Sequence, residues 1–197
     1  WLPVDVTLDA AANRLAVNSY ALPQVPTWLT VAEACDPVVP AITSSKALQN
    51  GVINQCPGES ITLSYGGSAV AYHWSIEGST DTLTMNAAID VADTGRYQLT
   101  VRTSRGCVNT NVIEIVPRSN PMLDITFTPD PATQLICLGT EVDFSVSSDQ
   151  PLTTANWELA GEASNGEHVT RAFTSPGNKS IEVTGTSTYG CVSSIQE

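Results

Sequence analysis

Few residues in this chain can do chemistry, and their spacing suits little of it. The candidates are five cysteines, two histidines and 20 acidic residues. Cys35, Cys56, Cys107, Cys137 and Cys191 include no Cys-x-x-Cys pair, so zinc ligation has no framework. Cysteines spaced this way are read as disulfides formed in an oxidising, extracellular setting. His73 and His168 each lie on a predicted strand beside core positions and are read as strand residues, not bases. No serine or cysteine sits in a Gly-x-Ser-x-Gly elbow, and no carboxylate pair of the glycosidase kind can be placed from the sequence. The chain is therefore read as non-catalytic and without a cofactor. Calcium is the one metal given any weight. Asp81, Asp90 and Asp93 fall near turns, and Asp124 and Asp130 flank the start of a later unit. Without EF-hand spacing these acids are read as a solvated surface.

The elements that would position these residues are strands. Of the 197 residues, 42% are apolar, enough to build cores, and only 14% are charged. Val, Thr and Gly are plentiful while Lys, Arg and Met are scarce, a balance that favours an all-β chain. The formal net charge of −12 repels phosphate backbones, so nucleic acid is excluded as a partner. No apolar run approaches the ~20 residues that a spanning helix needs. No charged segment followed by an apolar one opens the chain as a signal peptide would. A start at Trp1 is read as a mature terminus or as a segment cut from something longer.

One stretch organises the fold. Asp93-Thr94-Gly95 is a turn, after which Tyr97, Leu99 and Val101 alternate with Gln98, Thr100 and Arg102, the period of a strand with one buried face. A Tyr two residues after the turn Gly matches a tyrosine corner, in which the hydroxyl bonds back to upstream backbone.

Three segments follow from this pattern. Residues 1–40 carry strand fragments (Val4, Val6, Leu8; Leu15, Val17) and two tryptophans, Trp1 and Trp28, and read as the end of a preceding repeat or as an N-terminal strand segment. Residues 41–117 form a complete sandwich, with Val52-Ile53 as its first strand and Trp74 as its core plug. Pro117 to Pro121 is a stiff linker. Residues 118–197 repeat the plan around Trp157, with the last strand incomplete at Glu197.

The repeat is numerical. Cys56 precedes Trp74 by 18 residues and Trp74 precedes Cys107 by 33; Cys137 precedes Trp157 by 20 and Trp157 precedes Cys191 by 34. Cys35 matches the second cysteine of a truncated earlier unit. Self-similarity of this kind marks an array.

The motifs Cys56-Pro57-Gly58-Glu59-Ser60-Ile61-Thr62-Leu63, a central Trp and a closing Arg105-Gly106-Cys107 resemble the Ig-like and PKD-like repeats of Bacteroidota surface proteins. The second unit, with Phe173-Thr174-Ser175-Pro176-Gly177 and Tyr189-Gly190-Cys191, looks more PKD-like, although no Trp-Asp-Phe-Gly-Asp-Gly follows either Trp. The resemblance implies tandem β-sandwiches in a head-to-tail rod, of the kind found in gliding adhesins and other type IX secretion substrates; no export domain is visible at the C-terminus. It also makes Asp81-Thr82-Leu83 a candidate O-glycosylation signal at Thr82, with an edge-strand Thr as the plain alternative. Asn178-Lys179-Ser180 is an N-glycosylation sequon by pattern.

The same architecture bears on the cysteines. Pairing within units gives Cys56–Cys107 and Cys137–Cys191. In an Ig-like sandwich, however, Cys56 lies at the lower end and Cys107 at the upper end, ~23 Å away along a strand of about seven residues. A disulfide needs Cα atoms within ~7 Å. The preferred pairing is Cys56–Cys191, an interdomain staple, with Cys35, Cys107 and Cys137 paired outside the chain; the pairing within units stays open.

The function expected is structural and adhesive: a stalk, spacer or adhesin region at a cell surface, its partners being neighbouring repeats and, in some settings, surface glycans. Two alternatives are carried. A filament subunit joined by donor-strand exchange would use Val4, Val6 and Leu8 to fill a missing last strand. An accessory region of a secreted enzyme would expose aromatic residues on one sandwich face.

Overall fold

The computed structural model describes residues 39–130 and 135–197, and the backbone of two short strands nearer the N-terminus. Those two, β1 (Val6–Asp9) and β2 (Arg14–Val17), pair antiparallel with each other. The rest of residues 1–38, including Trp1, Trp28 and Cys35, lies outside the described residues.

Two β-sandwiches follow in sequence, with no helix among the described residues. The first comprises β3 (Ile42–Ser44), β4 (Val52–Gln55), β5 (Ile61–Tyr65), β6 (Ala71–Ile76), β7 (Ala88–Val91), β8 (Gly95–Arg102) and β9 (Val108–Pro117). One sheet has the order β3-β5-β7 and the other β4-β9-β8-β6. Its first strand is split: β3 pairs with β5, and the chain then crosses to the opposite sheet, where β4 runs parallel to β9. The crossing is made at Asn50-Gly51, both at positive φ, in a turn closed by mutual Gln49–Val52 backbone bonds. Asn-Gly suits a turn that needs two left-handed residues.

Alternation places the core. In β8, Tyr97, Leu99 and Val101 are buried while their neighbours are not. They meet Ile61 and Leu63 from the facing sheet and Trp74 from β6, which is fully buried. The Tyr97 hydroxyl donates to the Asp93 carbonyl at 2.7 Å. Burial pushes the Tyr97 phenol above its ordinary range, and the Asp93 carboxylate adds to the shift.

The second sandwich comprises β10 (Leu123–Thr128), β11 (Glu141–Ser148), β12 (Leu152–Leu159), β13 (Glu162–Asn165), β14 (His168–Ala172), β15 (Ile181–Ser187) and β16 (Val192–Gln196). Its sheets are β10-β11-β14 and β13-β12-β15-β16. Among its described residues no strand pairs parallel; instead β13 folds back on β12 through Ala160-Gly161, again both at positive φ. Its core is aromatic. Phe144 meets Phe127 and Phe173 edge-on and Trp157 at a tilt, geometries that the ring quadrupole favours. The Trp157 indole N–H donates to Gly166 O at 2.8 Å, whereas that of Trp74 has no partner.

The last strand pairs with β15 from Thr186↔Val192 to Glu182↔Gln196, and Ile181 and Glu197 exchange backbone bonds beyond that. The ladder thus covers the length of β15 and leaves no vacant strand position beside it. Thr82, given an edge strand as its plain reading, lies in the loop between β6 and β7. There the backbone pairs with β6 through an isolated Trp74↔Thr84 bridge.

Candidate functional site

Each sandwich carries the same two cysteine turns, one at each end. At the upper end, the loop from β8 to β9 contains Thr103-Ser104-Arg105-Gly106-Cys107. Thr103 N–H donates to Cys107 O (2.9 Å), Gly106 N–H to Thr103 O (2.9 Å) and Cys107 N–H to Thr103 Oγ1 (3.2 Å). The loop from β15 to β16, Ser187 to Cys191, repeats all three bonds: Ser187 N–H to Cys191 O (2.8 Å), Gly190 N–H to Ser187 O (2.9 Å) and Cys191 N–H to Ser187 Oγ (3.3 Å). Gly106 and Gly190 have φ of 84° and 81°, so both turns need a residue that tolerates the left-handed region. At the lower end, Cys56-Pro57-Gly58-Glu59 and Cys137-Leu138-Gly139-Thr140 form turns closed by the same bond, from the fourth N–H to the first carbonyl, at 3.1 Å in each.

The two units meet at one junction, where the upper turn of the second sandwich seats on the lower end of the first. Cys56 and Cys191 are joined there by a disulfide with Cα atoms 5.4 Å apart, 135 residues distant in sequence. Of the two pairings left open by the sequence, the interdomain one is present. Cys191 is fully buried and Cys56 half-buried.

Polar groups clamp both sides of the disulfide. The Arg118 guanidinium stacks over the Tyr189 ring at 4.1 Å while its Nε donates to Asn54 Oδ1 at 2.7 Å. Asn54 Nδ2 donates to Gln49 Oε1 (2.8 Å), and Gln49 Nε2 donates to Thr188 O in the second unit (3.0 Å). On the other side, Lys46 Nζ lies 2.7 Å from Glu59 Oε2 and 3.3 Å from Cys56 Sγ. Burial raises the Glu59 carboxyl, but the Cys56 N–H and Lys46 together outweigh it, and its pKa is lowered overall. Gln55, buried at 5% exposure, uses its side-chain amide on Glu59 O and Ala92 O. A polar network at a half-buried joint is stabilising where its members have partners.

The cysteine pattern marked this junction, but not its clamp. Lys46, Gln49, Asn54, Arg118 and Tyr189 were missed, since they become neighbours only once the two units abut. The Arg in the linker and the Tyr before Gly190-Cys191 were the available signals.

Cys107, expected to pair outside the chain, is disulfide-bonded within it. Asn111 Nδ2 donates to Pro40 O at 2.8 Å. Cys137 is a free, exposed thiol. It lies beside an open groove of about 530 Å³ at the lower end of the second sandwich, lined by Phe127, Phe144, Phe173, Leu138 and Ile181 among others. Asn178 of the glycosylation sequon also lines it.

The remaining candidates stay apart. His73 Nε2 lies 2.8 Å from Thr82 Oγ1 in the first sandwich, and His168 Nδ1 lies 2.8 Å from Ser145 Oγ in the second. Among the described residues no three His, Cys, Asp or Glu side chains group together as a metal site. Asp90 accepts a bond from Thr62 Oγ1 instead. No described aromatic residue is exposed. No helix among the described residues is long and apolar enough to cross a membrane.

No protein-family model and no curated protein matches the chain. Solved structures do resemble it. Fibronectin(III)-like modules of Clostridium thermocellum CbhA share 11% identity, covering 79% of this chain and 91% of that one, with a TM-score of 0.50. The amphioxus IgVJ-C2 molecule shares 13% identity, covering 74% and 98%, with a TM-score of 0.32. The fold is an all-β, Ig- and fibronectin III-like sandwich in two copies.

Proposed function

We propose that this chain is a load-bearing segment of an extracellular structural or adhesive array, in which β-sandwiches are stapled end to end and no catalysis occurs. The observation that carries the reading is the junction. A disulfide, a cation–π stack and a hydrogen-bonded chain from Arg118 through Asn54 and Gln49 to Thr188 all bridge two units. A joint secured in this way holds the direction of the next unit fixed, which is what a stalk or spacer needs and a flexible enzyme tether does not. Disulfides also belong to oxidising compartments. A cell surface, of the kind borne by the Bacteroidota repeats that the sequence resembles, is the setting proposed, with adjoining modules as the partners.

Two alternatives fare less well. Donor-strand exchange needs a vacant strand position, yet β16 covers β15, and Val6 and Leu8 of the proposed donor segment pair with β2. A carbohydrate-binding accessory region needs exposed aromatics, which the described residues lack.

The test is the distribution of distances between spin labels on the two sandwiches. A narrow distribution in the native chain, broadened in the double variant Cys56→Ser with Cys191→Ser while both cores stay folded, supports the reading. An equally broad distribution with the disulfide intact would sink it.

A further inference from the structure

We propose that the lower end of the second sandwich, Cys137 with its adjoining apolar groove, is a docking site for the upper Gly-Cys turn of another sandwich module of the same build. The inference rests on the array reading above and names the partner at its open joint. Its argument is internal to the molecule. The turn at Cys137 is closed by the same N–H to carbonyl bond, at the same 3.1 Å, as the turn at Cys56, and each has a positive-φ glycine two residues after the cysteine. At Cys56 that place is taken by a module's upper turn, which delivers Cys191 to a Cα separation of 5.4 Å. At Cys137 it is not: the thiol is free and exposed.

The groove supplies a second, separate observation. Phe127, Phe144 and Phe173 line about 530 Å³ of open space beside the thiol, and Leu138 stands 59% exposed at its rim. At the occupied junction the incoming turn brings Tyr189, whose ring lies under Arg118. No arginine lines the groove; it offers aromatic walls, with Lys179 Nζ 5.9 Å from the Phe173 ring. An apolar or aromatic residue before the Gly-Cys pair of the incoming turn fits this lining.

The covalent step is thiol–disulfide exchange. The incoming cysteine carries a mixed disulfide with a small thiol such as glutathione. The Cys137 thiolate attacks its protein-side sulfur, the new S–S bond forms, and the small thiolate leaves and takes up a proton. A small-molecule disulfide is thus the oxidant, reduced to two thiols over the whole sequence.

The experiment extends the chain. A second copy of residues 118–197 is joined after Glu197, so that its own Cys191 can meet Cys137, and the protein is oxidised in a glutathione buffer. Peptide mapping is expected to find Cys137 linked to the appended Cys191 beside the native Cys56–Cys191 bond, and Leu138→Asp is expected to slow the new bond about tenfold. Free thiols at both positions, glutathione on Cys137, or a Cys137–Cys137 dimer, with the native bond present, would each overturn the docking site while leaving the array reading standing. Loss of the native bond as well would count against the array reading itself. If the appended copy fails to fold, a backbone-cyclised hairpin of residues 184–194, activated as a 2-thiopyridyl disulfide, is given to the unaltered chain. Reaction with Cys137 at least tenfold faster than a scrambled cyclic peptide supports the site; equal rates overturn it.

Discussion

At the scale of single residues, the two core tryptophans occupy matching strands but differ in their polar ends. Trp157 donates to Gly166 O, and the Trp74 indole N–H is buried without a partner. A net hydrogen bond is worth about 1 kcal/mol, and an unsatisfied buried donor costs about 1–3 kcal/mol. Trp157→Phe is therefore expected to destabilise by about 1 kcal/mol or more beyond Trp74→Phe, since only the first loses a bond and only the second removes an unmet donor. Urea midpoints of the two variants check this; equal losses would show that ring volume alone decides the cost. Glu59 gives a pH signature at the junction. Its folded pKa is lowered, so its contribution is present above the ordinary Glu value and is lost as pH falls through the lowered one. The native chain is expected to lose more thermal stability than Glu59→Gln between about pH 6 and about pH 3. Parallel curves for the two proteins would mean that the Lys46 contact carries nothing.

At the scale of elements, the paired turns do the joining, and glycine sets their shape. Gly190 and Gly106 share nearly the same positive φ, and a Cβ at Gly190 meets nothing nearer than Lys46 Cε at 3.7 Å. Alanine at either site therefore carries left-handed strain of about 1–2 kcal/mol without a clash. Gly190→Ala is expected to lower the yield of the Cys56–Cys191 bond on oxidative refolding several-fold, and Gly106→Ala to leave that bond unchanged. Quantified peptide maps of the refolded variants separate the two. These elements were legible to different degrees. The alternation of Tyr97, Leu99 and Val101, and the cysteine–tryptophan spacing, record a local pleat and a repeated plan, so most of the strands and both cores could be read. The parallel β4–β9 pair could not, because nothing in Val52 to Gln55 distinguishes a partner in one sheet from a partner in the other; only the Asn50-Gly51 turn hinted at the crossing. Thr82 was misplaced for a similar reason, Leu83 and Met85 being apolar yet exposed at 45% and 71%.

At the scale of the whole molecule, the staple and the clamp must be opened together. The disulfide closes a span of 135 residues, but each sandwich has its own core. Its main effect is thus on how the units are held to each other, not on whether each folds. Cys191 is fully buried beneath the second unit's turn, so a reductant gains access mainly when the junction opens. The guanidinium of Arg118 grips both partners, Asn54 on one side and Tyr189 on the other. A cation–π contact and a charge-assisted hydrogen bond at a half-buried joint together contribute on the order of 1–2 kcal/mol. By the exponential relation between free energy and population, Arg118→Ala should make the open junction about tenfold more common. Reduction of Cys56–Cys191 by a phosphine at low concentration is expected to accelerate by the same factor, while the urea midpoints of the two sandwiches barely move. An unchanged reduction rate would mean that the bond is attacked in the closed form, through the half-buried Cys56, and that the rigidity of the joint resides in the covalent link alone.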